Sequence, residues 1–227
     1  MTRSGMTTMD TISDAPCMSS ESGSLSAWNF SAGKRVLDAG AAGAGLLLLL
    51  PLMAIIAVAV RLTSSGPVLF RQRRVGKDGR LFEILKFRTM AHRPQGAGPG
   101  VTRKGDSRIT ATGRVLRRVK LDELPQLFNV LRGDMSLVGP RPDLPEFCQA
   151  VRPEQQQVFT LRPGLTGWAT LHFRDEEKLL AAVPEEQTAT YYVDHILSQK
   201  TDLDLDYAQR ATLSGDLKII LRTLTGS

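Results

Sequence analysis

Two cysteines and three histidines are all that this 227-residue chain offers to thiol or soft-metal chemistry. Cys17 and Cys148 stand far apart and form no metal or redox motif. A disulfide framework is therefore not expected, and a reducing compartment is the default. His92, His172 and His195 lack metal-ligand spacing and read as surface or loop residues. Aromatic residues are scarce, at 6%, and form no stacking pattern beside the basic residues. With no nucleic-acid module visible either, nucleic acid is not the expected partner. No internal repeat is present. A cleaved signal peptide is a poor fit, because the apolar run begins too late and is too long.

What the chain does have is a basic balance, 29 Lys and Arg against 23 Asp and Glu, for a formal charge of +6. That excess by itself suits any anionic partner, whether nucleic acid, an anionic bilayer surface or a phosphorylated substrate. The length fits one domain with a proper core. Residues 1–30 are rich in Ser, Thr, Met and Gly and read as a disordered tail.

The apolar run Val36–Val60 follows. At about 25 residues it would reach roughly 37 Å as a helix, against an apolar bilayer core about 30 Å thick. Asp38 sits inside its start and Pro51 falls mid-run, where proline removes a backbone hydrogen bond. Both flanks are basic: Lys34 and Arg35 before, then Arg61, Arg71, Arg73 and Arg74 after. The positive-inside rule puts such flanks on the cytoplasmic side, and both can obey it only if the segment enters and returns. The expectation is a re-entrant helix broken at Pro51; a single span and a buried core helix are the alternatives.

Val68–Val75 and Leu81–Phe87 are strand-like and flank Gly76-Lys77-Asp78-Gly79, which predicts a β-hairpin. His92–Lys104 is a long Gly/Pro/basic loop. Helical spacing follows at Ile109–Val119, Leu124–Leu131, Pro145–Thr160 (interrupted at Pro153), Glu176–Ala182 and Glu185–Ser198. Leu203, Tyr207, Leu213, Leu217, Ile220 and Leu221 suggest a closing amphipathic helix.

The candidate chemistry lies in LDELPQLFNVLRGDMSLVGPRP, Leu121–Pro142. Pro125 is tolerated only in a first helical turn, so a helix is expected to start near Asp122. Asp122 and Glu123 would then sit at its N-terminus, where unpaired N–H groups and the macrodipole favour negative charge. Arg117, Arg118 and Lys120 add to the effect. An aspartate so placed should stay ionised, as an attacking carboxylate must. Adjacent carboxylates can also hold Mg²⁺, and the same pair is compatible with an ordinary Asp N-cap and acidic first turn.

DELPQLFNVLRGDMSLVGPRP closely resembles the signature of the bacterial sugar transferases, more narrowly the monotopic phosphoglycosyl transferases that act on polyprenyl phosphate. KRVLDAG (34–40), KFRTM (86–90), DSRITATGRVLRR (106–118) and LRPGLTGWA (161–169) stand in the family's order. The resemblance covers everything from Lys34 onward. It implies transfer of a sugar-1-phosphate from a UDP-sugar to undecaprenyl phosphate, releasing UMP, at the cytoplasmic face of a bacterial inner membrane. It implies Mg²⁺ as cofactor, a re-entrant helix, and an early place in exopolysaccharide, capsule or O-antigen synthesis. Asp122 matches the family's nucleophile, which forms an aspartyl-phosphosugar intermediate, and Glu123 its partner.

Phosphoryl transfer brings several negative charges together, which arginines can offset. Arg141 between two prolines is the leading phosphate clamp, followed by Arg108, Arg88 and Lys86. Gly164 and Gly167 read as turn-shaping, and Asp134 and Glu146 as polar residues near the site or on the surface. The chain departs from the family at Leu50-Pro51, where Ser-Pro is frequent, at Lys120, and at Thr170, where Gln is frequent; the sugar is therefore not specified. Self-association is compatible with the sequence. Charge and the apolar segment alone would also allow a membrane-anchored basic adapter that binds polyanions without catalysis.

The expected fold is thus α+β and mostly helical. Its parts are a disordered tail (1–30), a re-entrant membrane helix broken at Pro51 (31–62), and a cytosolic helical catalytic domain that opens with a small hairpin (63–227).

Overall fold

A computed structural model describes residues 24–91 and 106–226. Most of the predicted tail, the loop His92–Lys104, Cys17 and His92 lie outside these residues. The end of the tail does not. Residues Ala27–Phe30 form a 3-10 turn. The Trp28 indole donates to Asp216 Oδ2 at 2.8 Å, and the Ser26 amide donates to the Ala208 carbonyl at 3.0 Å. These long-range bonds order a stretch whose composition alone reads as unstructured.

The first helix, α1, runs Ala32–Thr63. Ser31 caps it, its hydroxyl accepting from the Lys34 amide at 3.0 Å. Lys34, Asp38, Ala42, Leu46, Met53, Ile56 and Val60 form its buried stripe, while Val36, Leu47, Leu48, Leu50, Ile55, Val58 and Leu62 are exposed. An apolar outer face of this kind rules out the core-helix alternative, since most of the run is not covered by the fold. By length and composition α1 is able to cross a membrane.

The predicted break at Pro51 is corrected: α1 is continuous through it. Leu46 and Met53, on either side of the proline, are buried in one and the same apolar cluster. That packing holds helical geometry across a residue that removes a single backbone hydrogen bond. Both ends of α1 are fastened to one folded body. At the start, Lys34 Nζ lies 2.5 Å from Asp216 Oδ2. Asp38 accepts from the Ser136 hydroxyl at 2.8 Å and the Leu137 amide at 3.0 Å. At the end, Arg88 donates to the Ser64 carbonyl at 2.7 Å, and Thr112 donates to Thr63 at 3.0 Å.

Strands β1 (Leu69–Val75) and β2 (Leu81–Phe87) pair antiparallel as expected, with Leu69 opposite Phe87 and Val75 opposite Leu81. Asp78 (φ 55°) and Gly79 (φ 71°) both take the left-handed conformation that matches hairpin twist. Next come α2 (Ala111–Arg118) and α3 (Gln126–Arg132). Asn129 pins α3 to β2, accepting from the Leu85 amide at 3.0 Å and donating to the Glu83 carbonyl at 2.7 Å. The main core joins the α1 stripe to Ile84 and Phe87 of β2, Leu116 of α2, and Leu127 and Val130 of α3.

A second sheet was not expected from sequence. Strand β3 (Ser136–Val138) pairs parallel with β4 (Gly164–Thr166). Three-residue strands carry too short a pattern to be read. The neighbouring backbones nearly touch: a Cβ on Gly164 would lie 2.2 Å from the Gly139 amide nitrogen. Gly164 therefore serves close backbone approach rather than a turn.

Between these strands, α4 (Pro145–Cys148) and the 3-10 turn Pro153–Thr160 divide at Pro153, as predicted. Beyond β4 come α5 (Trp168–His172), α6 (Glu176–Ala181) and α7 (Thr188–Tyr191). A π turn at Tyr192–Leu197 leads from α7 into α8 (Ser198–Gln209). The predicted closing helix is in fact two, since α9 (Leu213–Thr225) starts anew at the Thr212 cap. Leu144, Phe147, Val158, Leu180, Ile196 and Leu205 belong to a second core there.

Asp216 is buried and takes three donors: Lys34, the Trp28 indole and the Tyr207 hydroxyl at 2.6 Å. Removing its cation leaves a buried carboxylate uncompensated. Lys34→Ala should therefore cost about 3 kcal/mol, measured as a lowered unfolding midpoint in detergent or nanodiscs.

Candidate active site

Helix α2 ends where Lys120 takes a left-handed conformation, φ 57°. The chain turns there into a 3-10 turn, Leu121–Glu123, and α3 begins only at Gln126. The carboxylates thus sit on a turn ahead of α3. This corrects the expected placement at a helix N-terminus, for no backbone N–H caps Asp122.

Asp122 is 6% exposed, and its Oδ1 is sealed from solvent without a hydrogen-bond partner among the described residues. Burial first, and then the Glu123 charge, push its carboxyl up from the ordinary value; Lys86, Arg117 and Lys120 oppose the rise. Burial thus works against the ionised form that the sequence reading expects nearby positive charge to favour. Asp122 is an acid whose charged form the fold itself disfavours.

Glu123 is the opposite case. Its Oε1 accepts from Lys86 Nζ at 2.8 Å and from an Arg141 guanidinium nitrogen at 2.8 Å. Burial pushes this carboxyl up, but Arg141 and then Lys86 outweigh burial and hold it well below the usual carboxylate range. In return Glu123 raises Arg141. Burial lowers Lys86, with Glu123 opposing.

The cations reach this point from separate elements. Lys86 comes from β2, opposite Phe70 in the hairpin. Arg141 comes from the Gly139–Pro142 loop after β3. That loop is held by the Gly139 amide on the Thr166 carbonyl (3.0 Å), the Gly164 amide on the Pro140 carbonyl (2.7 Å), and Arg74 on the Pro142 carbonyl (3.2 Å). Asp204 of α8, which the sequence reading passed over, braces the loop from behind. Its carboxylate accepts from the Ala169 amide at 3.1 Å and lies beside the Arg141 backbone. Burial pushes this acid up to about 7 against those contacts and Lys200. Its sequence surroundings, LDLDYA, give no sign of that role.

Four predicted phosphate contacts therefore separate into two pairs. Lys86 and Arg141 meet at the dyad. Arg88 does not: it is 5% exposed and donates to the carbonyls of Val60, Ser64 and Pro67, closing the end of α1. The structure thus places it at this helix end rather than at the dyad, with its donors on backbone carbonyls and the Ser64 hydroxyl. Arg108 pairs with Asp106 at 2.6 Å, ahead of α2. Arg117, expected from the sequence to add positive charge beside the pair, bonds to Glu177 and contributes positive potential at Asp122. Asp134 lies 3.6 Å from Arg132 and accepts from Asn129 at 3.3 Å, apart from the dyad.

Among the described residues no group of three or more His, Cys, Asp or Glu forms a metal cage. The unpartnered Asp122 oxygen still fits a hard cation of the Mg²⁺ type, which takes one or two carboxylates and fills its shell with phosphate and water. Glu123 is already committed to two cations through Oε1.

The raised Asp122 pKa has a consequence for stability. The folded state binds this proton more tightly than the unfolded one, so the ionised form opposes folding above that pKa. Asp122→Asn should raise the unfolding midpoint at neutral pH. The gain should shrink as pH falls through the raised pKa toward the ordinary value near 3.8. Thermal melts across pH check this.

Comparison with known proteins agrees with the geometry. The family described as bacterial sugar transferase matches residues 29–226. A UDP-glucose:undecaprenyl-phosphate glucose-1-phosphate transferase of Caulobacter vibrioides is 45% identical over 194 residues, which cover 84% of this chain and 68% of that protein. A protein of the same name from Xanthomonas campestris pv. campestris is 41% identical over 199 residues, covering 86% of this chain and 38% of its own length. A UDP-N-acetylgalactosamine-undecaprenyl-phosphate N-acetylgalactosaminephosphotransferase of Aeromonas hydrophila is 45% identical over 139 residues, covering 60% and 33%. The chain thus spans well under half of the latter two relatives. With a match over nearly its whole described length, and with the acidic pair and its two cations in place, the chain belongs to the bacterial sugar transferase family.

Proposed function

We propose that this protein is a phosphoglycosyl transferase that moves a sugar-1-phosphate from a UDP-sugar to undecaprenyl phosphate through a covalent Asp122 intermediate. The observation that carries this reading is the contrast within the dyad: a sealed, unpartnered Asp122 oxygen beside a Glu123 clamped by Lys86 and Arg141. An unsolvated carboxylate with no hydrogen bonds to give up is a reactive nucleophile. The relatives' names supply the substrate class.

Asp122 attacks the phosphorus that bears the sugar. An aspartyl O–P bond forms while the bond to the bridging oxygen breaks, and its electron pair leaves with UMP. A phosphate oxygen of the polyprenyl acceptor then attacks the same phosphorus and releases Asp122. Lys86 and Arg141 hold Glu123 and set positive potential where the diphosphate arrives. Asp122, with Glu123 beside it, would hold Mg²⁺, which when bound neutralises charge on the phosphates.

The second part of the reading is location: the cytoplasmic face of an inner membrane, with α1 seated in the near leaflet. Its exposed apolar face supports this, and so do its two ends, both fastened to the same folded body. A continuous helix tied in this way lies along that body and keeps both flanks on one side. The product is a lipid-linked sugar suited to the start of a surface glycan. Differing sugars among the relatives leave the donor open.

Purified protein should release UMP from a suitable UDP-sugar when supplied with undecaprenyl phosphate and Mg²⁺, and chelation should stop the release. Asp122→Asn should lower turnover at least about 10⁴-fold and abolish the sugar-phosphate adduct seen by intact mass; an adduct persisting in that variant refutes the nucleophile. In membrane vesicles, protease or label should reach both flanks of α1 from one side. Access from opposite sides would refute the re-entrant placement.

A further inference from the structure

We propose that Gln126 is a further catalytic residue, its side-chain amide donating a hydrogen bond to a non-bridging oxygen of the phosphoryl group that Asp122 attacks. The inference rests on the phosphoryl-transfer reading above and adds a group to it.

Among the described residues four buried side-chain polar atoms have no hydrogen-bond partner: Arg74 Nε, Asp122 Oδ1, Gln126 Nε2 and Gln155 Oε1. Two have a structural explanation nearby. Arg74 uses its other nitrogens on Gln72 and the Pro142 carbonyl, and Gln155 uses its amide on Ser198 and Asp202. Gln126 is different. It is 2% exposed, and its side chain makes no hydrogen bond to any described residue. A buried amide donor left unpaired works against folding. An apolar side chain of the same shape would serve the core better, so such a group calls for another explanation.

Its position supplies one. Leu121–Glu123 is a 3-10 turn, Leu124 and Pro125 keep right-handed helical angles, and α3 follows. Residues 122 and 126 are therefore four positions apart along a right-handed helical stretch, close to the spacing that brings side chains together. One carries an unpaired acceptor and the other an unpaired donor. A phosphoryl group meets both needs at once: its phosphorus takes the Asp122 oxygen, and its peripheral oxygen takes the Gln126 N–H.

The neutrality of the amide matters. A lysine or arginine at 126 would pair with Asp122 and quench the nucleophile. Glutamine donates without forming an ion pair, so the carboxylate stays free to attack. Lys86 and Arg141, by contrast, are already engaged by Glu123. Charge on the transferring group spreads over its peripheral oxygens, where a preplaced donor acts in both half-reactions. Gln126 moves no proton; each step balances as Asp122, UMP and the acceptor exchange places on phosphorus.

The test is Gln126→Met, which keeps the shape and removes the donor. The unfolding midpoint should stay equal or rise, because a buried orphan is lost. kcat for UMP release should fall about 10²–10³-fold, with KM for the UDP-sugar within about threefold. Gln126→Glu, read by the rate of adduct formation in single turnover, should fall at least as far, and it decides the matter should the Met variant fail to fold. Wild-type-like turnover in either variant, or a rise in KM alone, overturns the inference. A loss of activity that tracks a loss of stability in both variants also overturns it. Wild-type protein that never releases UMP would instead sink the phosphoryl-transfer reading itself, so the two failures are distinguishable.

Discussion

One carboxylate oxygen ties the site together. Glu123 Oε1 accepts from Lys86 and Arg141, and so joins the hairpin, the turn after α2 and the loop after β3. Each of these charges would be costly to bury alone. Together they compensate one another, and their combined field falls on the neighbouring Asp122. Nothing else in the described chain brings these three segments to one point through charge.

Asp122 has the opposite surroundings. It receives the electrostatic benefit of Lys86 and Arg117 at a distance, but no direct hydrogen bond. Burial therefore dominates and raises its pKa. A buried carboxyl so placed is a stability disadvantage, of the kind expected where function, not folding, selects a residue. Asp204 adds to the pattern from behind, as a buried acid bonded to the Ala169 amide beside the Arg141 loop.

The long helix α1 ties this chemistry to an apolar surface. Its inner stripe carries Lys34 and Asp38, which bond to α9 and β3, while its outer face is aliphatic. Polar anchors at its start and a cap by Arg88 at its end keep the helix flush with the body that bears the dyad.

Much of the fold was legible in local pattern. The hairpin, the apolar run, the break at Pro153 and the acidic pair all announce themselves through spacing or turn residues. Lys86 and Arg141 stood out as cations of the candidate site, though the sequence could not say that Glu123 holds both. What failed to show depends on contacts distant in sequence. The order at Ala27–Phe30 comes from Asp216, far along the chain. Helix continuity at Pro51 comes from core packing on either side of it. Arg88 and Arg141 look alike as letters, yet one closes a helix and the other faces the dyad. The sequence by itself determined the chemical groups and the elements that carry them, because propensity and periodicity are local. Only the tertiary structure decided which charges meet, which oxygen is left without a partner, and how far each pKa moves, because burial and Coulomb energy depend on neighbours that chain order does not reveal.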